Sequence, residues 1–203
     1  MTSDLPQETI AKVISFHGHS CPGLSIGIRA SELSRRELGD LPDTRMVCIV
    51  ETDMCGIDAV QYLTGCTFGK GNLIHRDYGK IAFTFFDRET GRGFRCLLKS
   101  GARGEMAEEM ATLHRKIASG EAGDEEQARC NELRRQMQER LMSSELDELF
   151  EIMAPNEVMP RSARILASLT CEACGEATME SRTRRFAGKT LCQPCFDKVE
   201  QKG

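Results

Sequence analysis

Apolar positions recur at helical spacing near the start of the chain. Ile10, Val13 and Ile14 share one face of residues 6–17, with Pro6 at the start and Gly18 placed to end a helix. A second helix is predicted from Cys21, with Pro22 in its first turn, Leu24, Ile28 and Leu33 on its buried face, and Gly39 as its stop. The pattern then changes. Met46-Val47-Cys48-Ile49-Val50 is an unbroken apolar run of the kind a buried strand carries, and Gly56–Leu63 follows as a short helix. Ile81–Phe86 and Phe94–Leu98 flank Glu89-Thr90-Gly91 and predict an antiparallel hairpin. From Glu105 the helical period returns. Met106, Met110, Leu113 and Ile117 form one stripe, and Cys130, Leu133, Met137 and Leu141 a second. Leu146, Leu149, Phe150 and Met153 predict a third, shorter helix. Mixed periods within one stretch predict an α+β core over residues 1–165, a β-sheet flanked by helices, while residues 166–203 differ enough to be a separate small module.

Composition narrows the class. The chain has 203 residues, 40% hydrophobic and 29% charged, with a net charge of −4. This is the profile of a globular protein, and the charge is too weak to draw the whole molecule to a polyanion. The start has no basic region followed by an apolar run, and no stretch approaches the ~20 apolar residues of a membrane span, so a cytoplasmic protein without membrane contact is expected. Residues 105–151 carry 13 acidic against 6 basic side chains, which reads as the solvated outer face of the helices.

Ten cysteines in a reducing compartment point to metal or thiol chemistry rather than disulfides. Four have a clear arrangement. Cys171-x-x-Cys174 and Cys192-x-x-Cys195, 17 residues apart, suit four thiolates around one tetrahedral zinc. Full thiolate ligation leaves no open position, so this zinc is structural, and the module is expected to be a treble-clef or zinc-ribbon finger that needs its metal to fold. Arg182, Arg184 and Arg185 cluster near its hairpin tip. Without interleaved aromatics they read as a solvated or protein-docking surface in preference to a nucleic-acid contact. Cys48, Cys96 and Cys130 fall in apolar patterns and are expected in the core.

The remaining chemistry gathers at Phe16-His17-Gly18-His19-Ser20-Cys21. Cys21 and Cys55 each stand at a predicted helix start, where free N–H groups favour a thiolate. Soft thiolates with imidazole suit zinc, iron or nickel. His17, His19, Cys21, Cys55 and Cys66, with the carboxylates Glu51, Asp53 and Asp58 nearby, therefore form the candidate site, either a second transition-metal centre or a reactive thiol. His17 and His19 are two apart and would not share a helix face unless the turn at Gly18 redirects one. The loop Gly65–Asn72 fails the phosphate-loop pattern, because only three residues separate Gly65 from Gly69 and Gly71 stands where a hydroxyl should be. A backbone nest with Lys70 remains a candidate for an anionic ligand, as does Asp53, with His75, Asp77, Tyr78 and Lys80 close behind. His114 has no ligand-type neighbour on its helix.

Four blocks in order, Phe16–Leu24, Glu51–Gln61, Thr64–Leu73 and Asp77–Lys80, closely resemble the FmdE family of formylmethanofuran dehydrogenase proteins. The resemblance implies an α+β core, a treble-clef-like zinc finger, a homodimer, and an active site built from the histidine and cysteine blocks. It also implies an accessory role beside a molybdenum or tungsten oxidoreductase. The alternative is a regulatory or adaptor protein whose finger contacts nucleic acid or a protein partner.

Overall fold

The computed structural model describes residues 3–200. They fall into two compact units that divide between Ser162 and Ala163. In the larger unit the helices α1 (Gln7–His17) and α2 (Pro22–Leu38) precede strand β1 (Met46–Val50). Helix α3 (Gly56–Thr64) then leads to β2 (Leu73–His75), and the hairpin β3 (Ala82–Asp87) and β4 (Gly93–Leu98) follows. A 3-10 turn at Ser100–Arg103 opens the helical hairpin α4 (Met106–Ser119) and α5 (Asp124–Ser143). The short α6 (Leu146–Leu149) runs straight into β5 (Phe150–Met153). The third helix expected from Leu146 to Met153 is thus helix for only its first turn. Phe150 to Met153 instead pairs with β4 as an edge strand, Leu98 opposite Phe150 and Cys96 opposite Ile152. A few apolar residues carry too little periodicity to separate the two states.

The sheet order is β2-β1-β3-β4-β5. Only β1 and β2 are parallel, joined through α3 in a βαβ unit, and the other pairs are antiparallel. Strand alternation divides β1. Met46, Cys48 and Val50 face a core shared with Phe83, Phe85, α2 and the α4–α5 hairpin, while Val47 and Ile49 face the other side with Phe86, Ile74 and Met159. Burying both faces of β1 explains why its sequence is continuously apolar. Cys48, Cys96 and Cys130 are fully buried in this core. Just past β1, Glu51 meets Arg95 in a two-pronged ion pair (2.6 and 2.8 Å) that is almost wholly buried.

One close approach positions the site. A Cβ at Gly27 would lie 2.0 Å from the carbonyl oxygen of Gly56, and a Cβ at Gly56 would lie 2.8 Å from the carbonyl of Gly23. Helices α2 and α3 therefore touch backbone to backbone along Gly23, Gly27 and Gly56. The residues just before each helix, Cys21 and Cys55, are set side by side by that contact.

The smaller unit contains two hairpins, β6 (Ser168–Thr170) with β7 (Ala177–Met179) and β8 (Thr183–Phe186) with β9 (Lys189–Cys192), followed by the turn of helix α7 (Gln193–Asp197). Gly188 makes the second hairpin turn with φ +81°. Its small core is Cys171, Leu191 and Cys192, with Phe196 packed against them and edge-on to Phe186. Among the described residues no helix is long and apolar enough to cross a membrane.

Candidate functional site

The corner between α1 and α2 is made by Gly18. It ends α1 in the left-handed conformation (φ +95°), and its N–H caps the Ile14 carbonyl at 2.8 Å. A Cβ there would meet nothing within 4 Å, so glycine is required by conformation and not by space. The turn folds His19 back onto His17, ring centroids 4.5 Å apart, which no continuous helix would allow at this spacing. Cys21 then caps α2, and its sulfur accepts the Leu24 N–H at 3.3 Å.

One ligand atom from each of His17, His19, Cys21 and Cys55 lies within 4.8 Å of all the others. The His17 Nε2 to Cys21 Sγ distance is 3.9 Å. A tetrahedral centre with bonds of about 2.0–2.3 Å has edges of about 3.3–3.8 Å, so small side-chain rotations close the set around one ion. The donor chemistry fits zinc or another borderline-soft transition metal. His17 is held for ligation from behind. Its Nδ1 lies 2.7 Å from Asp58 Oδ2, and the other Asp58 oxygen accepts from Gln61 Nε2 at 3.3 Å. A proton on Nδ1 shared with Asp58 leaves the Nε2 lone pair directed at the sulfurs, the carboxylate–histidine arrangement typical of metal sites. Asp58 lies three residues after Cys55, one turn along α3. That spacing is its sequence signal, although the sequence alone gives it no role beyond a nearby carboxylate. Burial, and then the adjacent Cys21 sulfur, raise the Cys55 thiol above its ordinary pKa, so ligation there would release a proton.

The other sequence candidates lie elsewhere. Cys66 follows α3 at the end opposite Cys55. It is fully buried in the main core, with its thiol directed at the Met46 carbonyl (3.5 Å), and burial pushes it up to about 11. The structure therefore does not bring Cys66 to the histidines, and it holds the residue as a neutral core thiol. Lys70 bonds Asp43 Oδ2 at 2.6 Å and the Gly65 carbonyl at 3.0 Å, so its ammonium is occupied within its own loop. Asp53 is exposed and outside the four-residue cluster. Glu51 is committed to Arg95.

A groove of about 470 Å³ opens beside the cluster. His19, Cys21 and Cys55 form one wall, and Arg103, His114 and Arg134 stand among the groove's other lining residues. The last three carry no local motif. They come together only through the fold, Arg103 from the turn before α4 and the other two from the α4–α5 hairpin, whose charged residues the sequence pattern places on a solvated helix face.

In the small unit, Cys171, Cys174, Cys192 and Cys195 form the second cluster of ligand atoms within 4.8 Å. The Cys174 and Cys192 sulfurs are 3.9 Å apart, a tetrahedral edge for zinc–thiolate bonds. Backbone N–H groups of Cys174 and Cys192 point at Cys171 and pull its thiol down to about 6, so one ligand is ready as thiolate at neutral pH. Arg182, Arg184 and Arg185 are accessible on this unit, at or beside β8.

Comparison with known proteins agrees with both units. Residues 16–151 match the family described as FmdE, molybdenum formylmethanofuran dehydrogenase operon. Residues 164–201 match the prokaryotic dksA/traR C4-type zinc finger. A protein of Archaeoglobus fulgidus, named as a probable S-adenosyl-L-methionine-binding protein, is 31% identical over 94% of this chain. The chain spans about half (54%) of that relative's length. The crystal structure of a tungsten formylmethanofuran dehydrogenase FmdE-like protein from Syntrophus aciditrophicus superposes with a TM-score of 0.61. The two are 25% identical, and the match covers 95% of this chain and 92% of the other. An α+β core matched over most of its length, followed by a four-cysteine finger, makes this chain a metal-binding member of the FmdE family.

Proposed function

We propose that the core unit is a transition-metal site in which His17, Cys21 and Cys55 are fixed ligands and His19, on the groove side, is a displaceable fourth. The observation that carries this reading is the convergence of four ligand atoms from two separate chain segments, with Asp58 orienting one of them. Two thiolates and one imidazole with an open fourth position form a recognised catalytic-type zinc set. Such a centre can polarise a carbonyl or activate water at the mouth of the groove. We further propose that the protein serves as an accessory to a molybdenum or tungsten oxidoreductase and acts as a homodimer. The family description and the Syntrophus neighbour support the first of these.

The test is metal content. Two metals per chain are expected in the native protein, one being lost in Cys21→Ala and Cys55→Ala while the finger retains its own. One metal per chain, unchanged in those variants, would refute the core site. Purification from the native source should co-isolate components of a molybdenum or tungsten enzyme if the accessory role holds.

A second reading draws on the Archaeoglobus relative: binding of S-adenosyl-L-methionine. The groove volume of about 470 Å³ lies within the ~300–1,000 Å³ usual for small-molecule sites. Calorimetric titration decides it, and absence of saturable heat at millimolar ligand would refute it.

A further inference from the structure

The groove beside the cysteines has a chemical asymmetry that the metal ligands do not explain. Its lining contains Arg103, Arg134 and His114 and no aspartate or glutamate. This occurs beside the most acidic part of the chain, where 13 acidic residues stand against 6 basic ones between 105 and 151. Arg129 and Arg135, close to Arg134 on the same helix, are both ion-paired, with Glu109 and with Glu132 and Glu139. Among the described residues neither Arg103 nor Arg134 has a carboxylate partner. Arg134 is nevertheless positioned, because its guanidinium donates to His114 Nε2 at 3.1 Å and to Asn131 Oδ1 at 3.4 Å. For His114 to accept, its proton must be on Nδ1, so the imidazole acts as a neutral bracket for the guanidinium. Arg103 arrives from a different element, the 3-10 turn before α4. Apolar surface from Ile26, Met110 and Met137 lines the same groove.

We propose that this groove binds a carboxylate-bearing small molecule with an apolar body. Arg103 and Arg134 take the carboxylate, the apolar body lies over Ile26, Met110 and Met137, and the far end reaches the Cys21–Cys55 corner. Guanidinium forks match planar carboxylates through paired hydrogen bonds, and a wall free of acids leaves the positive potential unopposed. Methionines supply a deformable apolar floor suited to such a body. The inference rests on the proposed metal corner only for what the ligand's far end meets.

The test is calorimetric titration of the full-length, metal-analysed protein with benzoate, formate and benzyl alcohol, repeated on Arg134→Gln, at an exposed position, on Arg103→Gln, at a half-buried one, and on the double variant. Benzoate should bind at least about tenfold more tightly than benzyl alcohol, which lacks the charge, and more tightly than formate, which lacks the apolar body. The double variant should bind benzoate no better than wild type binds benzyl alcohol, with its metal content unchanged. Equal affinity for benzoate and benzyl alcohol, formate binding as tightly as benzoate, or wild-type benzoate binding by the double variant would each overturn the proposal. Metal counting on the same samples keeps the two ideas separate. Two metals with no benzoate binding sinks this inference alone, and one metal with arginine-dependent benzoate binding sinks the metal corner alone.

Discussion

Gly27→Ala tests how the site is assembled. The added Cβ would lie 2.0 Å from the Gly56 carbonyl oxygen, against about 3.4 Å for ordinary contact, so α2 and α3 would have to part by about 1.4 Å. The obstacle is backbone on both sides, with no flexible side chain to yield. Alanine in mid-helix contributes about 1 kcal/mol through propensity, while overpacking of this kind costs up to about 3 kcal/mol, leaving a net loss of about 2 kcal/mol. In a unit of this size that lowers the melting temperature by about 4–8 °C. The more specific consequence is at the helix starts. Separating Gly27 from Gly56 draws Cys21 away from Cys55, and a displacement of about 1.4 Å is large against the ±0.2 Å tolerance of metal–ligand bonds. The variant should therefore hold about one metal per chain, with the finger's zinc as internal reference, and should unfold at lower temperature. Metal analysis with differential scanning calorimetry decides it. Two metals per chain and an unchanged melting temperature would show that the glycine contact does not build the corner.

Other changes separate the remaining roles. Asp58→Asn should weaken retention of the core metal about 10- to 100-fold in chelator competition with little change in melting temperature, because only the support behind His17 is altered. Cys66→Ala should leave metal content untouched and lower stability by about 1–2 kcal/mol in urea unfolding, since it removes a buried thiol and no ligand. Glu51→Ala leaves the buried Arg95 guanidinium uncompensated and should cost about 3–5 kcal/mol in the same assay. Asp87, held by Arg45 through two bonds of 2.9 and 2.6 Å, titrates well below the usual carboxylate range in the folded protein. Its stabilisation is thus complete above the unfolded value near 4 and is lost as pH falls toward the folded one. Asp87→Asn should be less stable than wild type at pH 7 and should lose less of its urea midpoint between pH 5 and pH 2.

Local chemistry was legible in the sequence, and the partners across the fold were not. The strand and hairpin around Phe83–Phe86, the helix start at Cys21 and the four-cysteine finger follow from residues close in the chain. Cys55 and Cys66 looked alike because they flank the two ends of one short helix. Which end meets His17 is decided by the glycine contact between α2 and α3, a tertiary fact. Lys70 looked available because its partner Asp43 lies 27 residues away. His114 and Arg134 looked like solvent-facing helix residues, and they join a groove only through the hairpin that carries them. Asp58 was visible as a carboxylate near Cys55, but its function depends on a histidine 41 residues earlier.

The groove draws its two walls from elements that can diverge separately. The ligand corner depends on backbone contact between α2 and α3, where almost any substitution at the glycines is excluded. The opposite side belongs to α4 and α5, where Ala107, Ala111, His114 and Arg134 are lining residues, and none of them supplies the atoms nearest Gly23, Gly27 or Gly56. A lineage could therefore exchange those side chains and change which molecule is admitted while inheriting the same thiolate–imidazole centre intact. Within one family, the ligand corner would be shared and the cargo would differ.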